Sequence, residues 1–271
     1  MKIVVQSLLL AVVALTTALV SPAAPAASLE GTGEFTVYAH RGYPEQGRSE
    51  NTFAALEHAR RHRARAVEVD MRVTRDDRIV LMHDETLNRT TTCAGPVRRL
   101  TAASIRARCR AKADRERVPT LKETLEWAAR HKMRLILEVK VNAEKNAWTP
   151  ALFVTLARMI DLHGLQDEVV VHSFHPGTLR MAEKAAPSLH VQLITLRWAD
   201  VARARTWADG VNVWARHLNV KRVAKLHEEG LYVLGRESDD PADWRRIRRS
   251  GADGVVTNAV REALRATRAR R

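Results

Sequence analysis

Residues 231–257 read LYVLGRESDDPADWRRIRRSGADGVVT, and three patterns follow one another within them. Leu231 to Leu234 is a short apolar run of strand length. Pro241 to Ser250 is charged but carries Trp244 and Ile247 three positions apart, the spacing of one buried stripe on a helix. Gly254 to Thr257 is strand-like again. A strand, a helix and a strand in so short a stretch predict a βαβ unit, whose two strands run parallel.

The same alternation extends outward. Upstream strands are expected at Arg134 to Val139, Glu168 to Val171, His190 to Thr195 and Gly210 to Trp214. Helices are expected between them at Thr149 to His163, His175 to Ala186, Trp198 to Trp207 and Val220 to Glu229, with a last one over 260–270. In the first half, Phe35 to Ala39 and Ala66 to Met71 are strands flanking a helix over Asn51 to His62, with Asn51 its expected N-cap. Leu121 to His131 is a helix, with Thr120 as N-cap and Glu123 three residues later. Arg78 to Met82 follows the turn-like Thr74-Arg75-Asp76-Asp77 and reads as a hairpin-like excursion. With 88–118 it makes an irregular insertion over about 74–118 after the second strand. Setting it aside leaves eight βα units in about 245 residues, which predicts an α/β protein of the (β/α)8 TIM-barrel class. A doubly wound open sheet is the alternative, since periodicity alone does not separate the two. With no internal repeat or low-complexity linker, residues 27–271 are expected to form a single domain.

The N-terminal residues differ from the rest. Lys2 is the only charge before Glu30, Ile3 to Val20 is mostly apolar, and Ser21 to Ala27 is rich in small residues and proline. Ala24-Pro25-Ala26 fits a small-residue cleavage pattern, so residues 1–26 read as a signal peptide and the protein as secreted. An uncleaved membrane anchor is the alternative. The chain carries a formal net charge of +14. That balance attracts polyanions such as an anionic membrane or wall-polymer surface. Runs such as Arg245-Arg246-Ile247-Arg248-Arg249 read first as solvated helix faces, and no nucleic-acid motif accompanies them, so no specific nucleic-acid partner is expected. The chain has two cysteines, Cys93 and Cys109, and an even count in an exported protein predicts a disulfide. Two cysteines without a close histidine pair give no zinc site.

Charged residues stand at the ends of apolar strands. His40-Arg41-Gly42 ends the first. Glu68 and Asp70 lie two apart on the second and share a face, as do Glu138 and Lys140 at the end of the next. His83-Asp84 closes the excursion. In a barrel, such strand ends converge on one mouth. Three converging carboxylates repel one another unless a cation joins them, and hard oxygen ligands favour one divalent cation, Ca²⁺ or Mg²⁺. Two histidines supply an acid and a base, and Arg41 and Lys140 supply positive charge for an oxyanion. That set suits hydrolysis of a phosphodiester. His172, at the end of the following strand, reads first as a structural histidine, with a place at the site as the alternative.

Tyr38-Ala39-His40-Arg41-Gly42, Glu50-Asn51-Thr52-Phe53, Val67-Glu68-Val69-Asp70-Met71, Leu81-Met82-His83-Asp84 and Leu137-Glu138-Val139-Lys140 together resemble, in order and spacing, the motifs of the glycerophosphodiester phosphodiesterase family. Pro119-Thr120-Leu121 and Ser173-Phe174 fall where that family has similar words, so the resemblance covers residues 35–260. It implies that Glu68, Asp70 and Glu138 bind the metal, that His40 and His83 are the catalytic pair, and that Arg41 and Lys140 contact the phosphate. Glu50 is expected to orient Arg41 or a metal ligand. The second half departs from the pattern. The family often has a Trp-Thr-Val-Asn-like segment where this chain has Leu234-Gly235-Arg236-Glu237-Ser238, and Thr-Asp-x-Pro where it has Thr257-Asn258-Ala259-Val260. Trp214 is the candidate for the missing aromatic wall, with barrel-to-helix packing as its other reading.

The resemblance implies hydrolysis of glycerophosphodiesters to glycerol 3-phosphate and an alcohol. Two other readings stand beside it. One is a secreted phospholipase D-like enzyme acting on lysophospholipid, sphingomyelin or a wall polymer. The other is a barrel that binds polyanions without turnover.

Overall fold

A computed structural model describes residues 35–45, 47–143 and 147–267. The expected signal peptide, residues 1–26, lies outside them. Eight parallel strands form the barrel: β1 (Thr36–Ala39), β2 (Ala66–Val73), β4 (Arg134–Val139), β5 (Val169–Ser173), β6 (His190–Thr195), β7 (Gly210–Val213), β8 (Tyr232–Gly235) and β9 (Gly254–Thr257). Each pairs with the next, and β1 pairs with both β9 and β2, which closes the sheet. That closure rules out the open-sheet alternative. β3 (Ile79–Leu81) runs antiparallel on β2, with Met71 opposite Leu81, as the hairpin-like excursion predicts.

The period of two along each strand sorts side chains into two populations. Odd-numbered positions such as Val67, Val69, Leu135, Leu137, Val171 and Val191 join the large cluster between barrel and helices. Even-numbered positions Tyr38, Ala66, Ile136, Val170, Tyr232, Leu234 and Val256 make a separate cluster in the lumen. The two lumenal tyrosine hydroxyls lie 3.1 Å apart and bond each other. Toward the strand C-terminal ends the even positions turn polar: Glu68, Asp70, Glu138, His172, Gln192 and Asn212, all buried. The register sets Asp70 level with Glu138, Glu138 level with His172, and His172 level with Gln192. The barrel is thus sealed by apolar side chains below and floored by polar ones toward the strand C-terminal ends, the face where such barrels build their sites.

Helices cover the outside: α1 (Phe53–Arg61), α3 (Leu121–His131), α4 (Pro150–Leu162), α5 (Pro176–Ala185), α6 (Trp198–Ala204), α7 (Val220–Glu228), α8 (Pro241–Arg249) and α9 (Val260–Thr267). The expected capping box is present on α3. Thr120 accepts from the Glu123 N–H, and Glu123 accepts from the Thr120 N–H at 2.9 Å. Such a cap stabilises by about 1 kcal/mol. The cap of α1 differs from expectation. Thr52, in extended backbone, accepts from the Ala55 N–H, whereas Asn51 sits in the left-handed region at φ 58° and turns its amide toward Asp70.

The insertion has its own small core of Val80, Met82, Leu87, Val97, Ile105 and Val118, and it contains α2 (Ala102–Arg108). The Cys93–Cys109 disulfide ties it together. It also braces α1: Asp114 accepts from the Ser49 N–H and the Thr52 hydroxyl, and Glu116 accepts from the Ala54 N–H. Carboxylates at that helix N-terminus meet its unpaired amides and its positive dipole end.

Candidate active site

A cleft at the strand C-terminal face is lined by His40, Arg41, Glu68, His83, Glu138, Lys140 and His172, together with Phe174, Asn212, Arg236 and Glu237. Six of the sequence-predicted site residues therefore share one mouth. Asp70 lies buried beneath it, Glu50 lies behind Arg41, and Trp214 is not among the lining residues.

The chain leaving β1 makes one tight 3-10 turn over His40–Gly42. Arg41, Gly42 and Tyr43 all have positive φ, at 50°, 82° and 72°. Only glycine adopts that region freely, and a Cβ on Gly42 would meet Leu56 Cδ2 at 2.9 Å. The turn aims the Arg41 N–H at Glu68 Oε2, 2.9 Å away. The Arg41 guanidinium then reaches Glu50 at 3.0 Å and Asp70 at 3.5 Å. Glu50 is itself gripped by Arg89 through both oxygens. Burial works against its charge, but Arg89 and Arg41 hold its carboxyl below the ordinary range. Glu50 thus ties Arg41 to Arg89.

The acids are arranged around unsatisfied atoms. Glu68 Oε1, Asp70 Oδ1 and both His172 ring nitrogens are buried without a hydrogen-bond partner. His172 Nε2 stands 3.8 Å from Glu68 Oε1 and 3.9 Å from Glu138 Oε2. Glu68, Glu138 and His172 each offer one ligand atom within 4.8 Å of the others. Lys140 Nζ lies 2.8 Å from Glu138 Oε1 and 3.5 Å from Asp70 Oδ1. Asp70 is otherwise held by Asn51, which donates to its Oδ2 at 2.7 Å. Burial and then the neighbouring Glu68 and Glu138 push the Asp70 carboxyl up to about 6. Burial also opposes charge on Glu68, but His172 and His40 hold its carboxyl below the ordinary range. Unpaired buried carboxylate oxygens cost free energy unless something positive meets them. The donor set, carboxylates with one imidazole, fits a hard divalent cation. Reading His172 as structural therefore gives way to a place at the site. A lone histidine at a strand end carries no signal until the register sets it beside Glu138.

The two catalytic candidates are oriented differently. Arg41 Nε donates to His40 Nε2 at 3.2 Å, and His40 Nδ1 lies 2.8 Å from Asn258 Oδ1. An arginine only donates, so Nε2 accepts and Nδ1 carries the proton. Asn258 is fixed in turn, since its amide group donates to Glu237 at 2.9 Å and to Asp239 at 3.1 Å. His83 Nδ1 sits 2.8 Å from Asp84, which Arg89 grips at 2.7 Å and 2.9 Å. Arg89 and then His83 hold the Asp84 carboxyl well below the ordinary range. The backbone carbonyl of His83 accepts twice from Arg72, at 3.1 Å and 2.8 Å, which steadies the excursion at the mouth.

The departures noted in the second half fall on this site. Glu237 and Asn258, one from each of these segments, both stand against His40 Nδ1, at 3.3 Å and 2.8 Å. Arg236 lies between two aromatic rings, 5.2 Å from the Phe174 centroid and 4.7 Å from that of Trp214. The aromatic wall facing the cleft is therefore Phe174, and Trp214 backs it through the guanidinium.

The sequence matches the profile described as "Glycerophosphoryl diester phosphodiesterase family" over residues 40–262. It is 26% identical over 235 residues to a glycerophosphodiester phosphodiesterase of Bacillus altitudinis, covering 82% of this chain and 94% of that protein. It is 27% identical over 232 residues to one of Caldanaerobacter subterraneus subsp. tengcongensis, covering 82% and 93%. Among solved structures, it resembles an Oleispira antarctica phosphodiesterase in complex with the product sn-glycerol-3-phosphate. That match has a TM-score of 0.73 at 24% identity and covers 85% of this chain and 96% of that one. A glycerophosphodiester phosphodiesterase of Agrobacterium tumefaciens matches with a TM-score of 0.71 at 24% identity, over 86% and 99%. At these identities the structural likeness speaks for the barrel fold.

Proposed function

The chain belongs to the glycerophosphoryl diester phosphodiesterase family, a family of phosphoric diester hydrolases, and on that premise we propose that its cleft hydrolyses glycerophosphodiesters to glycerol 3-phosphate and an alcohol. The observation that carries this reading is the set of buried atoms without a hydrogen-bond partner on Glu68, Asp70 and His172 beneath two oriented histidines.

Glu68, Asp70 and Glu138 would hold one divalent cation, Ca²⁺ or Mg²⁺, with His172 as a further ligand. Bound there, the cation supplies Lewis-acid stabilisation of the developing phosphoryl charge. Arg41 and Lys140, both lining the cleft, bind the phosphate oxygens and stabilise the same charge. His40 presents an unprotonated Nε2 and takes the proton of the attacking hydroxyl. That hydroxyl is either water or a neighbouring group on the substrate. His83, steadied and charge-balanced by Asp84, gives a proton to the leaving alkoxide.

We place the protein outside the cytoplasm as a single catalytic domain after removal of residues 1–26. The Cys93–Cys109 bridge supports that placement, since disulfides persist outside reducing compartments.

The test is a substrate panel: glycerophosphocholine, lysophosphatidylcholine and a poly(glycerol phosphate) polymer, each with Ca²⁺, Mg²⁺ or EDTA. Turnover of the small diester with a cation supports the proposal. Turnover of none of the three with either metal contradicts it.

A further inference from the structure

Large apolar side chains that stand in solvent are few among the described residues: Leu162 at 81% exposure, Val220 at 65%, Leu196 at 45% and Phe174 at 44%. Three of these four occupy neighbouring βα connections on the catalytic face. Phe174 follows β5, Leu196 follows β6, and Val220 opens α7 after β7. A scattered surface leucine needs no explanation, but apolar tips gathered on one side of a site do.

Contacts and chain neighbours join Phe174 and Leu196 to the cleft, and Val220 stands between Asn219 and Lys221 at the adjoining groove. Phe174 lines the cleft and carries Arg236, which also covers Trp214. Arg216 lies over the same Trp214 at 5.4 Å. The next residue, His217, contacts the Leu196 carbonyl at 3.2 Å, and Arg222 donates to the His217 carbonyl at 2.9 Å while covering Trp198 at 4.5 Å. Trp198 and Arg222 open a groove of about 320 Å³ between α6 and α7, whose lining also includes Lys221 and Lys225. The edge thus alternates exposed apolar tips with arginines stacked on indole rings and unburied lysines. Apolar tips gain nothing from a hydrophilic polyanion, and lysines gain nothing from a neutral protein patch. Both gain at an anionic bilayer surface, where tips enter the acyl boundary and cations meet headgroup phosphates.

We propose that the β5–β7 side of the mouth is a membrane-docking edge that seats the cleft on an anionic lipid surface. The docking adds a lipid surface to the reading above and does not depend on turnover in the cleft.

The experiment is cosedimentation of the purified protein with vesicles of phosphatidylcholine alone or with about one-third phosphatidylglycerol, run beside glycerophosphocholine turnover. The test variant is Leu196→Ser with Val220→Ser, two exposed positions outside the cleft lining. The protein should bind the anionic vesicles and not the neutral ones. The double variant should bind about tenfold more weakly while turning over glycerophosphocholine at the parent rate. Equal vesicle binding by parent and variant overturns the proposal. So does retention on a poly(glycerol phosphate) resin without vesicle binding, which would assign the charge to a wall polymer. Loss of all turnover with vesicle binding intact would sink the enzymatic reading alone.

Discussion

Asn51 and Asp70 hold each other from both sides. The Asn51 amide group donates to Asp70 Oδ2 at 2.7 Å, and the Asp70 backbone N–H donates to Asn51 Oδ1 at 2.9 Å. The pair leaves Asp70 Oδ1 without a hydrogen bond, 3.5 Å from Lys140 Nζ, and fixes the direction in which it points. Partners that orient a metal ligand in this way commonly affect cation affinity by about 10- to 100-fold. Asn51→Gly keeps the left-handed backbone available and removes only the pair. It should weaken divalent-cation binding by that factor in calorimetric titration, with far-UV circular dichroism unchanged. Unaltered affinity would mean that Asp70 is positioned by the strand alone.

The buried Asp70 carboxyl also makes a pH prediction. Its folded value is raised from the ordinary 3.8 to about 6, by burial first and by Glu68 and Glu138 next. The folded state then binds a proton that the unfolded chain releases. The stability this contributes is full below about 4 and is lost as pH rises through about 6. A cation that binds the ionised site reverses that loss. The Tm increment from added Ca²⁺ or Mg²⁺ should therefore be larger at pH 7.5 than at pH 5, and Asp70→Asn should flatten the metal-free profile between about 4 and 6.

His58 makes the opposite prediction on the acid side. Its ring stacks on Tyr43 at 4.6 Å, and its Nε2 is buried without a partner. Burial, then Arg48 and His62, lower it from 6.5 to about 4. The unfolded chain takes up the proton first. This contribution is thus full above about 6.5 and is lost as pH falls toward about 4. His58→Phe keeps the stack and removes the titration. Its Tm should fall less than the parent's over that window, and an identical acid limb would reject the assignment.

His40→Ala and His83→Ala should each lose about 10²- to 10⁴-fold in kcat with their melting temperatures near the parent's. Asp84→Asn leaves the His83 ring in place but removes its charge partner, so it should cost activity less than His83→Ala. If either alanine variant retains near-full rate, the proton-transfer roles are wrong.

The strands were legible because each is a short apolar run between polar segments. β4, β6 and β9 fall on the expected residues without adjustment. Closure was not legible, because the pairing of β1 with both β9 and β2 joins segments far apart in the chain. The carboxylates and histidines of the first half carried their own signal through motif order. His172 did not, since only lateral register sets it beside Glu138. Asn51 read as a helix cap because asparagine favours caps, but the buried Asp70 competes for the same amide and wins. Trp214 was the conspicuous aromatic, yet the cleft is lined by Phe174, two strands earlier.

In the proposed function the buried acids hold a cation that the reaction needs. The most direct test is to strip the purified protein with EDTA, exchange the chelator away, and follow glycerol 3-phosphate release from glycerophosphocholine as Ca²⁺ or Mg²⁺ is returned. The expected result is no release from the stripped protein, recovery that saturates with one cation per chain, and no recovery in Glu68→Gln. Full activity in the stripped protein, or unchanged recovery in Glu68→Gln, would contradict it.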